Sequence, residues 1–393
     1  MFSKFLSKFV LFVILVFSFR LEAINSKDIF VVWPYTLRGN NGEVLLKFKL
    51  STPKRMILKV KKGNKESLEE KETPLNLNQN KVYSFKLGKQ KCGDFIEYSL
   101  IDNVDSEKIF DNHILKSFEC SGSRFGFKFG FMSDTQENNE RHAAFAKIVQ
   151  KHVEKEKLAF VLNTGDVVQN GGKEDDWVKF FKAGRPYLSK TPLVAALGNH
   201  AFYKEKNHKR STPYHFKKYL RWLKSPRLGN LSLEFPNFSL IVFNSNFTRL
   251  RKNQEIIQWK WFEAKLKTYS EKRLPIFVAM HYPPISSSAF HLSGSANILR
   301  KRLVPLVEKY GVKAVFAGHT HLYERSLKNN VHYFIAGPTG GRFIRKTFEN
   351  KEFNKVLKTN TETFSVISVT KKYIYFKTFD NKDELIDKLR IKI

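Results

Sequence analysis

Beyond about residue 125 the chain alternates short apolar runs with amphipathic stretches, and the apolar runs repeatedly end in polar clusters. Phe125–Met132, Leu158–Leu162, Leu193–Leu197, Leu240–Phe243, Ile276–Met280, Ala314–Ala317 and Tyr333–Ile335 read as strands. Between them, Glu140–Val153 reads as a helix with Ala144, Phe145, Ile148 and Val149 at helical spacing, and Asp175–Phe181, Ile256–Tyr269 and Ile298–Tyr310 read as further helices. Strands alternating with helices restrict this part to an α/β domain. Ser365–Val369 and Tyr373–Asp380 return to strands, so a mixed sheet is predicted.

The preceding stretch has a different rhythm. Ile29–Trp33, Glu43–Leu50, Arg55–Val60, Val82–Leu87, Phe95–Ile101 and His113–Phe118 are short apolar or alternating runs, separated by turn-rich segments such as Arg38-Gly39-Asn40-Asn41-Gly42. No helical period runs through them, and an immunoglobulin-like β-sandwich over 24–122 is predicted. Ser121-Gly122-Ser123 is the expected linker to a second domain over 123–393. The first residues read as an address. Lys4 and Lys8 precede the apolar run Phe9–Phe19, which is short for a bilayer of roughly 30 Å. A secretory signal peptide over 1–23, giving a secreted or periplasmic protein, is the reading, with an uncleaved anchor as the alternative. Cys92 and Cys120 either pair in an oxidising compartment or stay as two thiols.

The 393 residues are 42% hydrophobic, which excludes global disorder, and carry a formal charge of +32. Lysine and arginine are spread along the chain, without a basic arm or interleaved basic and aromatic residues on one element, so no specific nucleic-acid recognition is expected. A diffuse positive field would draw in phosphates or an anionic surface or polymer.

The polar clusters carry the chemistry. In chain order they are Ser133-Asp134-Thr135-Gln136, Gly165-Asp166, Gly198-Asn199-His200, His281-Tyr282-Pro283-Pro284 and Gly318-His319-Thr320-His321, each at the carboxyl end of a predicted strand. Ligand sites in open α/β sheets lie beyond those ends, so the clusters are expected to converge. Taken singly, each is an ordinary turn, cap or satisfied histidine. Together they offer carboxylates, amides and imidazoles, a donor mixture suited to first-row metal ions.

This ordered series resembles the calcineurin-like metallophosphoesterase superfamily. The tail Gly318-His319-Thr320-His321-Leu322-Tyr323-Glu324-Arg325, with a β-sandwich before it, is most similar to the purple acid phosphatase branch. The resemblance covers about residues 125–380 and implies a four-layer fold, two mixed sheets packed together with helices outside. It implies a dinuclear centre of divalent ions, manganese, iron or zinc. Asp134, His321 and Gln136 would serve one ion, Asn199, His281 and His319 the other, and Asp166 both. It further implies a phosphate-ester substrate. His200 would contact the phosphate or protonate the leaving oxygen, and His291 is either another substrate-binding histidine or an exposed loop residue. Glu324 and Arg325 are expected to form a supporting or structural pair.

Two cations about 3.5–4 Å apart offset the charge that protects a phosphate ester and acidify a shared water. This chain departs from purple acid phosphatases at Gln169, where they carry an iron-binding tyrosine, at Gln136, where much of the superfamily has histidine, and at Ala201, where an acidic residue is common after the histidine. The competing readings are a catalytically inactive binding or adhesion protein that uses its β-sandwich, and a phosphodiesterase or nuclease acting on an anionic polymer.

Overall fold

A computed structural model describes residues 29–52, 54–63, 68–72, 81–90, 93–102, 108–115, 126–202, 212–220, 229–344, 347 and 352–393. The expected signal peptide, both cysteines and the Ser121–Ser123 linker lie outside these residues.

The chain opens with β1 (Phe30–Arg38), β2 (Glu43–Leu50), β3 (Met56–Lys62), β4 (Leu68–Glu72), β5 (Tyr83–Lys89), β6 (Ile96–Asp102) and β7 (Lys108–Leu115). Then come β8 (Phe127–Met132), α1 (Asn139–Glu156), β9 (Val161–Asn163), α2 (Glu174–Leu188), β10 (Leu193–Ala195) and α3 (Tyr214–Leu220). The second half runs β11 (Leu231–Glu234), β12 (Ser239–Val242), α4 (Lys252–Ser270), β13 (Ile276–Ala279), α5 (Gly294–Ile298), α6 (Val304–Lys309) and β14 (Ala314–Ala317). It continues through β15 (Tyr323–Lys328), β16 (Val331–Ile335) and β17 (Asn354–Lys358), and closes with β18 (Phe364–Val369), β19 (Tyr373–Phe379) and β20 (Leu385–Lys392).

A nine-stranded sheet has the order β20-β19-β18-β8-β9-β10-β1-β2-β5, and a seven-stranded sheet has the order β11-β12-β13-β14-β16-β15-β17. Both mix parallel and antiparallel pairs, as expected. Strand alternation sorts side chains into layers. From β8, Phe127, Phe129 and Phe131 enter the apolar layer between the sheets, where they meet Phe238, Phe277 and Phe316. Met132 and Val161 face outward under α1 and α2 with Phe145, Val149, Phe180 and Tyr187. On the other sheet Val278 and Val315 face the layer under α4, with Phe262 and Leu266. Helix, sheet, sheet, helix is the predicted four-layer order.

The β-rich beginning is also present. A four-stranded sheet, β4-β3-β6-β7, shares a core with β2 and β5 in which Phe48, Met56, Leu58, Tyr83 and Tyr98 are buried. The other face of this sandwich belongs to the nine-stranded sheet, because Leu37 of β1 pairs in parallel with Leu193 of β10. Tyr35 packs on Phe181 of α2 at 4.1 Å between ring centroids, and Lys49 reaches Glu174 at 2.9 Å.

Two helices and one expected pair depart from the sequence reading. The helix expected over Ile298–Tyr310 is interrupted by a wide π turn at Leu299–Leu303, just before Pro305, whose ring nitrogen has no hydrogen to donate to the preceding turn. Helix α2 runs on through Pro186 to Leu188 because Tyr187 and Leu188 are buried in the core. Glu324 and Arg325 do not pair with each other, since consecutive strand residues face opposite sides. Arg325 forks onto Asp387 of β20 at 2.7 and 3.0 Å, while Glu324 binds Ser287. Among the described residues no helix is long and apolar enough to cross a membrane.

Candidate metal centre

Asp134 follows β8, Asp166 follows β9 and Asn199 follows β10, while His281 follows β13 and His319 and His321 follow β14. The two sheets aim their carboxyl ends at one place, and a parallel bridge from Ser133 to Pro338 ties them together there. Asp134, Asp166, His319 and His321 all have left-handed backbone, with φ of 53°, 48°, 70° and 50°. Such conformations cost on the order of 1–3 kcal/mol each in non-glycine residues and cluster at functional sites.

Glycines make the close approach possible. A methyl at Gly198 would sit 2.1 Å from Oδ1 of Asp166, and one at Gly318 would sit 1.9 Å from Oγ of Ser133 and 2.5 Å from Oδ2 of Asp134. The role of Gly318 is therefore room for Ser133 and Asp134. The backbone N–H of His319 donates to Oδ2 of Asp134 at 2.9 Å, and that of His200 donates to Oδ1 of Asp166 at 2.9 Å. Each carboxylate is thus anchored by one oxygen, which directs the other into the site.

The donors fall into two groups. Asp166, His281 and His319 place one ligand atom each within 4.8 Å of one another. Nδ1 of His281 lies 3.0 Å from the Thr164 carbonyl, which it serves as donor, so Nε2 faces the site. That Nε2 lies 3.0 Å from Oδ2 of Asp166, 3.0 Å from Oδ1 of Asn199 and 3.2 Å from Nδ1 of His319. One proton can serve a single one of these partners at a time, whereas a cation at their centre serves all. In the second group, Nε2 of His321 is 3.6 Å from Oδ1 of Asp134 and 3.0 Å from Nε2 of Gln136. Oδ1 of Asp134 and Oε1 of Gln136 are buried without a hydrogen-bond partner in the protein. Buried oxygens of this kind are costly unless something satisfies them. The donor chemistry and these orphaned atoms fit metal ions.

Among the side chains themselves, the electrostatics keep both carboxylates ionised. Burial alone would raise the carboxyls of Asp134 and Asp166, but the facing imidazoles win. Asp134 is held below its ordinary value by His321 and His281, and Asp166 well below by His281, His200 and His319. Burial, reinforced by His281, pushes His319 down to about 3, so its ring is neutral and its lone pair available. Burial works against charge on His321, yet Asp134 and the Arg342 carbonyl raise it to about 9, and Asp166 and Asp134 likewise raise His281.

His200 stands beside this group without a place among the three converging donors. Its Nδ1 bonds the Gln169 carbonyl at 2.6 Å and its Nε2 lies 3.8 Å from Oδ2 of Asp166. His291 lies on the short turn Ala289–Leu292, with Nδ1 buried and unpartnered. Gln169 lines an adjoining cleft of about 390 Å³ together with Gln136, Glu137, Asn139, Asn170 and Lys173. Sequence reasoning missed the aromatic floor. Tyr282 and Phe290 both set rings edge-on to His319, at 4.5 and 4.3 Å. Tyr282 adjoins His281 and was open to reading; nothing local marks Phe290.

Residues 127–323 match the model of the calcineurin-like phosphoesterase family, and the chain belongs to that family. It is 26% identical over 214 residues to the probable purple acid phosphatase 20 of Arabidopsis thaliana, covering 53% of this chain and 48% of that one. It is 35% identical over 79 residues to the Fe(3+)-Zn(2+) purple acid phosphatase 12 of Arabidopsis thaliana, covering 20% and 17%. The chain thus spans about half the length, or less, of the curated relatives it matches. Among solved structures, the purple acid phosphatase PPD1 of yellow lupin (Lupinus luteus) seeds superposes with a TM-score of 0.74 at 16% identity, over 92% of this chain and 74% of that one, a likeness of fold.

Proposed function

We propose that this chain is an exported phosphoesterase that hydrolyses phosphate esters at a centre for two divalent ions. The observation that carries this reading is a pair of neighbouring donor groups, one of them containing Asp166. Asp166, His281 and His319 converge within 4.8 Å, next to Asp134 and Gln136 with their unsatisfied oxygens. In this reading Asn199, His281 and His319 hold one ion, Asp134, Gln136 and His321 hold the other, and Asp166 serves both. Manganese, iron or zinc suits these donors. When bound, such a pair of ions offsets phosphoryl charge and makes water nucleophilic near neutral pH.

The protein's own groups supply the rest. The glycines and left-handed turns hold both carboxylates close, and the Thr164 carbonyl fixes the tautomer of His281. The Gln169 carbonyl fixes His200, whose Nε2 contacts a phosphoryl oxygen or gives its proton to the leaving oxygen. His291, on the Ala289–Leu292 turn, is proposed as a further substrate-binding residue. The basic and apolar pattern of the first residues supports export, and 24–122 and 123–393 are proposed as the mature protein's two parts.

The test is hydrolysis of p-nitrophenyl phosphate with added manganese, zinc or iron, alongside metal analysis of the same protein. Turnover with about two ions per chain is expected. Equal activity of wild type and Asp166→Ala overturns the reading.

A further inference from the structure

We infer that Glu324 is a positioning residue, which fixes the Ser286–Ser288 segment and through it the turn that lies against His319. The kinetic part of this inference rests on the proposed phosphoesterase activity; the geometric part does not.

Glu324 is 1% exposed on β15, and among the described residues it has no lysine or arginine partner. Its carboxylate accepts four hydrogen bonds instead. The backbone N–H of Ser287 donates to Oε2 at 2.7 Å, and the Ser287 hydroxyl donates to Oε1 at 2.9 Å. Oε1 also receives the Ser326 hydroxyl at 2.9 Å and the Asn354 amide at 3.2 Å. Burying a carboxylate without a counter-ion is costly, and hydrogen bonds to the charged acceptor offset the cost. Two of the four come from Ser287, so this segment is what the carboxylate holds most firmly.

From Ser287 the constraint runs toward the centre. The Ser286 hydroxyl bonds that of Ser288 at 2.9 Å and accepts the Ser288 N–H at 3.1 Å. Ser288 pairs with Thr347 and opens the Ala289–Leu292 turn, accepting the His291 N–H at 3.0 Å. Phe290 of that turn lies 4.3 Å from the His319 ring and 5.1 Å from Tyr282. Arg300 binds the His291 carbonyl at 2.7 Å and closes the far side. Among the described residues, the Glu324 carboxylate bonds Ser287, Ser326 and Asn354 and none of Asp134, Asp166, His281, His319 or His321, so its influence is through the turn.

Glu324→Gln keeps the size and turns one acceptor oxygen into a donor. The serine hydroxyls can turn to accept, but either orientation of the new amide sets its NH2 against an N–H, that of Ser287 at the Oε2 position or that of Asn354 at the Oε1 position, and the segment must shift. The experiment reads wild type, Glu324→Gln and the milder Ser287→Ala. Three measurements are made on each: KM and kcat for p-nitrophenyl phosphate, bound metal per chain, and the ¹⁵N-histidine NMR signals of His319, which the Phe290 and Tyr282 rings displace. Expected for Glu324→Gln is about a tenfold rise in KM with a much smaller change in kcat, wild-type metal content and a moved His319 signal. Ser287→Ala is expected to shift all readouts in the same direction, about two- to threefold in KM, and stands in if Glu324→Gln does not fold. An unmoved His319 signal in both variants overturns the inference, as does loss of metal in step with activity. A wild type without turnover, with the His319 signal moved in either variant, overturns the proposed activity and leaves the positioning standing.

Discussion

Around Asp166 two imidazoles, a carboxylate and the Asn199 amide already face one another at about 3 Å, held by the Thr164 carbonyl and the His200 N–H. Around Asp134 a single imidazole stands 3.6 Å away, its Nε2 engaged by the Gln136 amide, and two oxygens are left unpaired. The first group is preorganised and rich in nitrogen; the second must rearrange Gln136 before its oxygen can serve a cation. Imidazole is the better donor for zinc-like ions and the amide the weaker one, so in the proposed two-ion centre the two positions would be of unequal strength. On the Asp134 side the asymmetry centres on Gln136, whose amide nitrogen faces His321 while its oxygen is left unpaired.

The largest effect is expected at Asp166, the residue proposed to serve both ions. Asp166→Ala should remove both ions and lower kcat/KM by at least about a thousandfold, read by metal analysis and turnover together. Loss of only one ion would show that Asp166 is not common to both groups. Next come the glycines. Gly198→Ala pushes on Asp166 and should lower activity about a hundredfold with both ions weakened, whereas Gly318→Ala pushes on Asp134 and should weaken one ion. Identical metal content in the two variants breaks the comparison. Dialysis of wild type against increasing chelator should then release one ion at about tenfold lower chelator than the other, and Gln136→His should close that gap. Simultaneous release from the wild type contradicts the inequality.

The smallest effect on the site lies behind the Asp134 side, at His142 of α1, stacked on Phe180. Burial, opposed by the Thr339 backbone, pushes this imidazole down to about 4. The folded state therefore binds fewer protons than the unfolded chain between pH 4 and 6.5. Stability from this group is complete above about 6.5 and is lost as pH falls toward 4, by roughly 3 kcal/mol at most. Urea midpoints at pH 7.5 and 4.5 should converge in His142→Leu relative to wild type, with turnover at neutral pH unchanged. An unaltered pH dependence would remove His142 from the account.

Much of the centre was legible because its residues sit where an apolar run stops. Asp134, Asp166, Asn199, His281 and His319 each follow a strand within a few positions, and strand ends are visible in one dimension. The four-layer order is legible only through the family resemblance; the alternation of Phe127, Phe129 and Phe131 with Lys128 and Gly130 marks β8 as a strand and does not by itself give the layers. What escaped depends on distance in sequence. Ser287 and Glu324 are 37 positions apart, and nothing near either announces the other. The edge strands β17 and β20 have half-exposed or exposed side chains and so lack an apolar signature. The interruption before α6 could have been read from Pro305, but the apolar spacing of Leu299, Leu303 and Val307 continues across it.

The pairing of Leu37 with Leu193 reaches beyond topology. Without β1, the strand that leads to Asn199 would become the margin of its sheet, with unanswered backbone N–H and C=O groups open to any passing extended segment. Tyr35 and Leu37 would also leave gaps under α2, where they share a core with Trp177 and Phe181. A chain trimmed to start at residue 126 should therefore self-associate instead of yielding a small working enzyme. The opening strands are the catalytic half's missing neighbour.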